Sequence, residues 1–227
     1  MYLTPRTNRE TGREYALRTI KENIVRLELA PGSFISENEL AAEMGLSRTP
    51  VREALIDLAK VKIIEIAPQK RSVVAYIDYE MVEEARFMRK VLEVAVVELA
   101  CQNGLDSEID RLEENVKLQR FHLENGSYSS IMELDNEFHR QLFEMARKPQ
   151  AYVMIQHISI HFDRIRSMAL NSVKDLKIVE DHAKIIEALR SRDAEAARTI
   201  MEKHLNRYKV DEQALRERYP ESWFKQN

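Results

Sequence analysis

The chain has 227 residues, one cysteine, 35 Lys and Arg against 38 Asp and Glu, and a formal net charge of −3. That balance excludes a chain that is basic throughout, and the single cysteine, Cys101, excludes an internal disulfide framework and reads as a small buried hydrophobe. No apolar run approaches the roughly 18–20 residues of a membrane span, and the start MYLTPRTNRETGREYALRTI lacks the apolar stretch of a secretory signal, so the expected compartment is the cytoplasm.

The charge is uneven. Residues 1–76 carry 12 Lys and Arg against 10 Asp and Glu, and residues 77–227 carry 23 against 28. The five glycines fall between periodic segments, so the chain reads as a succession of helices. Residues 1–14 read as an N-terminal tail. Over 15–27, YALRTIKENIVRL places Leu17, Ile20, Ile24 and Leu27 on one helical face, and APGS ends the segment. In SENELAAEM, Ser36 and Glu39 have capping-box spacing, Leu40 and Met44 face inward, and Gly45 ends the helix.

The next stretch is GLSRTPVREAL. With Ser47 as N-cap, Pro50 is the third helical residue, where its missing N–H is one of the donors a helix start leaves unpaired anyway. Val51, Leu55 and Leu58 form the buried stripe, while Arg48 and Arg52 share a solvent-facing side. Two short helices joined by a tight turn have the pattern of a helix-turn-helix, whose second helix meets base edges in the major groove. An ordinary helical hairpin with solvated arginines has the same spacing. KIIEIAP and SVVAYI then read as a β-hairpin around QKR, which makes the motif winged and puts Lys70 and Arg71 at the wing tip, within reach of DNA.

The run APGSFISENELAAEMGLSRTPVREAL, followed by the wing, resembles the DNA-binding domain of the GntR family of bacterial transcription regulators. The resemblance implies that Arg48, Thr49 and Arg52 read a double-stranded operator. The chain departs from the family at Asn38, where arginine is usual, and at Arg71, where glycine is usual.

From Asp78 onward six helical segments follow, the last running over 193–219. The expected fold is therefore mainly α, an N-terminal winged helix-turn-helix over 15–76 and a C-terminal six-helix antiparallel bundle over 77–211, with a C-terminal tail at 212–227. Three stripes of the bundle carry polar residues on faces that otherwise look buried. Asp135 shares one with Ile131, Phe138 and Leu142, and His139 lies one turn on. His182 shares one with Ile178, Ile185 and Leu189, and His204 one with Ala197, Met201 and Tyr208. A buried polar group without a partner costs about 1–3 kcal/mol. One shared divalent ion, zinc, nickel or similar, would satisfy all four. Separate carbonyl or carboxylate partners for each histidine would do so as well.

Asp-x-x-x-His, then the histidine of EDHAKIIEAL, then that of MEKHL, resembles the FCD effector domain of the FadR subgroup of GntR regulators. That resemblance implies a metal held by Asp135, His139, His182 and His204, and an effector cavity lined by Arg89 of RKVLE. His161 flanks the Ile158–Phe162–Ile165 stripe and is placed at the effector pocket, whereas His157 and His122 are placed at the surface. The expected protein is a homodimeric regulator on a palindromic operator, with no catalytic residue and with a small organic acid as effector. Two alternatives stay open: a helical-bundle metalloenzyme with an appended DNA-binding domain, and the same regulator with a metal-free pocket. No His-Glu-x-x-His or Glu-x-x-His occurs in the chain, which counts against the first.

Overall fold

The computed structural model describes residues 1–66, 72–170, 177–207 and 212–226, and among them are ten α-helices and three short strands. The chain divides into two compact units. One is Met1–Val82 with Ile160–Arg164 and Glu212–Asn227, and the other is Glu83–Ser159 with Ile165–Asp211.

In the first unit, α1 (Gly12–Val25) starts at a reciprocal cap. The Thr11 hydroxyl accepts the Glu14 N–H at 3.2 Å, and the Glu14 carboxylate accepts the Thr11 N–H at 2.7 Å. Its buried face is Ala16, Ile20 and Ile24 with Thr19 and Asn23. Leu17 is only half-buried, and Leu27 lies beyond the helix end with φ 64°. The expected stripe is thus rotated: α1 packs on α3 (Arg48–Lys60), and Tyr15, Ala16 and Thr19 are buried where Leu17 was expected. Residues 1–10 are not a loose tail. Asn23 accepts the Tyr2 N–H at 2.7 Å and donates to the Tyr2 carbonyl at 2.8 Å, which satisfies a buried amide.

The Ser36 hydroxyl accepts the Glu39 N–H at 3.4 Å at the start of α2 (Glu37–Met44), and Gly45 closes that helix at φ 64°. Strands β1 (Phe34–Ile35), β2 (Ile64–Glu65) and β3 (Ser72–Val74) form an antiparallel sheet in the order β1-β3-β2, with Phe34 opposite Val73 and Ile64 opposite Val74. β2 and β3 are the expected wing strands. β1 is an addition, too short at two residues to show alternation in the sequence. The core gathers Ala16, Ile20, Ile24, Leu40, Val51, Leu55, Leu58, Ile63 and Val74. Each large member contributes roughly 1.5–3 kcal/mol on burial.

The bundle helices are α4 (Tyr79–Asn103), α5 (Asp106–Glu124), α6 (Tyr128–Met145), α7 (Pro149–Leu170), α8 (Lys177–Arg190) and α9 (Ala194–Arg207). In the second unit α5 packs on α6 and α8, and α8 on α9, around Val97, Ile109, Leu112, Phe138, Leu142, Ile185, Leu189 and Met201. Cys101 is buried in the same core.

Two boundaries differ from expectation. The sixth helix is described over Ala194–Arg207, residues 208–211 lie outside the described residues, and beyond them the segment expected as a C-terminal tail contains α10 (Glu212–Arg218) and a short 3-10 turn. These residues group with the first unit because they bury Leu215 and Phe224 there. Phe224 stacks on Tyr79 at 6.2 Å, and Ile77 bonds the Trp223 carbonyl and the Lys225 N–H. Likewise five residues of α7, Ile160–Arg164, belong to the first unit, where Arg164 is fully buried and donates to the carbonyls of Ala75 at 2.7 Å and Tyr76 at 3.3 Å.

Candidate nucleic-acid interface and buried histidine site

The N-terminal half of α3 presents the expected reading residues. Ser47 has the extended geometry of an N-cap (φ −75°, ψ 166°), although its side chain makes no capping bond, and Pro50 is the third residue of the helix. Arg48, Thr49 and Arg52 are all exposed, opposite the buried Val51, Leu55 and Leu58. Arg48 pairs with Glu37 of α2 at 2.8 Å. An exposed pair of this kind contributes at most about 1 kcal/mol and opens readily for a stronger anion. Lys70 and Arg71 lie outside the described residues.

The second unit brings four polar residues together. Asp135, His139, His182 and His204, on three helices, are each no more than 1% exposed, and each offers one donor atom within 4.8 Å of the others. Helical periodicity does the placing: apolar neighbours turn each stripe inward and carry the polar residue with it. Tyr208 lies outside the described residues.

The three imidazoles point their Nε2 atoms at one another. His204 Nε2 is 3.2 Å from His139 Nε2 and 3.4 Å from His182 Nε2. Asp135 Oδ1 is 3.6 Å from His182 Nε2, and Oδ2 is 3.7 Å from His139 Nε2. The Nδ1 atoms turn outward. His139 Nδ1 meets the Glu93 carboxylate, His182 Nδ1 meets Gln119 Oε1 at 2.8 Å, and His204 Nδ1 lies 3.9 Å from Asp181. Gln119 is itself held by donating to Asn115 at 2.7 Å, so its oxygen is the atom left for the histidine. Gln119 Oε1 on Nδ1 places the His182 proton there, and the Glu93 carboxylate against His139 Nδ1 favours the same tautomer, whereas Asp181 stands beyond hydrogen-bond length of His204.

Charge follows the same layout. Burial pushes His182 down to about 4, and it pushes His139 and His204 well below the ordinary 6.5, aided by Arg89 at His139 and by the other two histidines at His204. Burial alone would raise Asp135. Arg166, with His139, His182 and Arg89, overrides it and holds the carboxyl well below its usual range. Arg166 is fully buried; it pairs with Asp135 Oδ2 and donates to Asn136 at 2.9 Å. Asp135 Oδ1 is buried without a hydrogen-bond partner.

This arrangement fits a divalent ion. With the ring protons on Nδ1, the facing Nε2 lone pairs at 3.2 and 3.4 Å repel unless a cation sits between them, and the carboxylate oxygen beside them is orphaned. Two nitrogens bound about 2.0–2.1 Å from a tetrahedral zinc stand about 3.4 Å apart, which is the spacing found.

Of the expected effector residues, Arg89 joins this cluster. It is buried, pairs with Glu93, and its Nη2 lies 4.0 Å from Asp135 Oδ2. His161 is buried in the first unit, with Nε2 2.7 Å from the Val61 carbonyl. His157 is exposed and His122 half-buried. Sequence reasoning missed Glu93, Gln119, Asp181 and Arg166. Gln119 and Asn115 carried a signal as amides on the buried stripe of α5, and Glu93 stands four residues after Arg89. Arg166 carried none, since an arginine on a long helix ordinarily faces water.

Comparison with known proteins places both units. Residues 14–74 match the family model for bacterial regulatory proteins of the gntR family, and residues 84–207 match that of the FCD domain. The chain is 32% identical to the HTH-type transcriptional repressor RspR of Escherichia coli strain K12 over 91% of each chain. It is 34% identical to an HTH-type transcriptional regulator of Streptomyces ambofaciens over 95% of this chain and 91% of that one. Among solved structures, Escherichia coli McbR/YncC shares the fold with a TM-score of 0.80 at 21% identity, covering 92% of this chain and 99% of that one. A GntR regulator of Rhodococcus sp. RHA1 does so with a TM-score of 0.71 at 19% identity, covering 91% and 98%. The chain thus belongs to the GntR family of bacterial transcription regulators, in the FadR-like branch with an FCD domain, and is a DNA-binding regulator rather than an enzyme.

Proposed function

We propose that this regulator acts as a cytoplasmic homodimer on a two-fold operator, and that Asp135, His139, His182 and His204 hold a zinc or nickel ion at which a small organic acid is sensed. The observation that carries the metal reading is the convergence of three Nε2 atoms on one another and on the orphaned Asp135 Oδ1. A bound ion supplies Lewis acidity toward a carboxylate oxygen. The chain's own part is to orient the His139 and His182 rings through Glu93 and Gln119 and to keep the site buried. Arg89 stands beside the site as the partner for the acid's charge.

Arg48, Thr49 and Arg52 read base edges, and Lys70 and Arg71 meet phosphates or the minor groove. One helix-turn-helix reads only a few base pairs, and two copies related by a dyad read a palindrome. The acid changes DNA binding only through its differential affinity for two arrangements of the dimer.

Elemental analysis of protein purified without chelators tests the site. One equivalent of zinc or nickel is expected, and it is absent from the His182→Ala, His204→Ala double variant. Full metal content in that variant refutes the ligand set. A thermal-shift series over mono-, di- and tricarboxylates then identifies the acid class, because a ligand of the native state raises the unfolding midpoint.

A further inference from the structure

Glu93 divides its two oxygens. Oε1 takes the Arg89 guanidinium through Nε, and Oε2 lies against His139 Nδ1. All three residues are buried, at 5% exposure or less. Arg89 therefore does not merely stand near the histidine cluster. It is connected, through one carboxylate, to the far side of the His139 ring whose Nε2 faces the cluster.

We propose that Glu93 couples Arg89 to His139, so that an anion drawing Arg89 away from Glu93 tightens the site's hold on its ion. This rests on the metal site proposed above. A carboxylate accepting from Nδ1 raises the donor strength of Nε2 and fixes the ring. The same carboxylate shared with a guanidinium is a weaker acceptor, because the cation draws on its charge. Releasing Arg89 to an organic acid leaves the Glu93 charge for His139. By linkage, the ion then favours the acid by the same factor. Gln119 and Asp181 face the other two rings, whereas Glu93 meets a ring and Arg89 together, so the path runs through Glu93.

The test is a cycle of zinc dissociation constants on the full chain, measured by competition with a chromophoric chelator. The four proteins are the unaltered chain, Arg89→Met, Glu93→Gln and the double variant. Glu93→Gln is expected to weaken zinc about 10–100-fold. Arg89→Met is expected to tighten zinc about tenfold, since it both removes a nearby positive charge and releases Glu93. In the Glu93→Gln background only the through-space part remains, so the gain should be at least about threefold smaller. The visible absorption of bound Co²⁺ should change with Glu93→Gln and with Arg89→Met, a response that mere loss of packing does not give. Arg89→Gln, which also removes the charge, is run in parallel with the same expectation, in case the Met variant does not fold. Equal gains in the two backgrounds overturn the coupling and leave the metal site standing. Failure of the unaltered chain to bind zinc, nickel or cobalt overturns both.

Discussion

Arg52 and His161 show how single residues divide between recognition and packing. Arg52 is exposed on the first turns of α3, and its planar fork suits the O6 and N7 edge of guanine. Arg52→Ala should cost about 1–3 kcal/mol of preference for the operator over unrelated DNA, measured by titrating both at one salt concentration. His161 works inward. Burial pushes it down to about 4, only partly offset by its bond to the Val61 carbonyl, so it is neutral in the folded chain. An unfolded histidine takes up a proton below about 6.5. The His161 contribution is therefore fully present above pH 6.5 and is lost as pH falls toward 4. About 2 kcal/mol should be gone by about pH 5. Denaturant midpoints at about pH 7.5 and pH 5 should differ accordingly, and His161→Gln should shrink the difference. His182, also held at about 4, adds a loss of the same sign, so the substitution flattens the curve without levelling it.

At the scale of elements, ends and segments matter more than helix middles. Gly45 closes α2 at φ 64° with no atom within 4 Å of where a Cβ would stand. Gly45→Ala thus meets backbone strain and nothing else, and should lower stability by about 1–2 kcal/mol in a denaturant titration. The C-terminal segment gives the opposite case. Phe224 is 2% exposed, stacked on Tyr79, and beside the backbone bonds of Ile77. Phe224→Ala should cost about 3–5 kcal/mol. A change of well under about 1 kcal/mol would mean that residues 212–226 are the loose tail the sequence suggested. α7 makes a related point. Its periodicity is continuous from Pro149 to Leu170, yet five of its residues serve a different core from the rest.

For the molecule as a whole, binding and folding are linked through the histidine cluster. Zinc should raise the unfolding midpoint of the unaltered chain in proportion to the logarithm of its concentration, and leave the His182→Ala, His204→Ala variant unmoved. An equal rise in both, by scanning calorimetry, would mean that the ion binds elsewhere. Much of this site was legible beforehand. Apolar residues three and four apart fix which face of a helix turns inward, so Asp135, His139, His182 and His204 were marked as buried polar residues by their neighbours alone. The two-helix pattern around GLSRTPVREAL was marked the same way, by Gly45, Ser47 and Pro50, whose backbone preferences are local. Glu93, Gln119, Asp181 and Arg166 were not marked as partners of the cluster, because a hydrogen bond between helices far apart in sequence leaves no periodic trace. For the same reason the sequence did not show that His161 and Phe224 belong to the first unit. Local sterics and hydrophobic period determined the helices, their ends and their inward faces. Which inward-facing groups meet depends on packing between distant segments, and only the tertiary structure decided it.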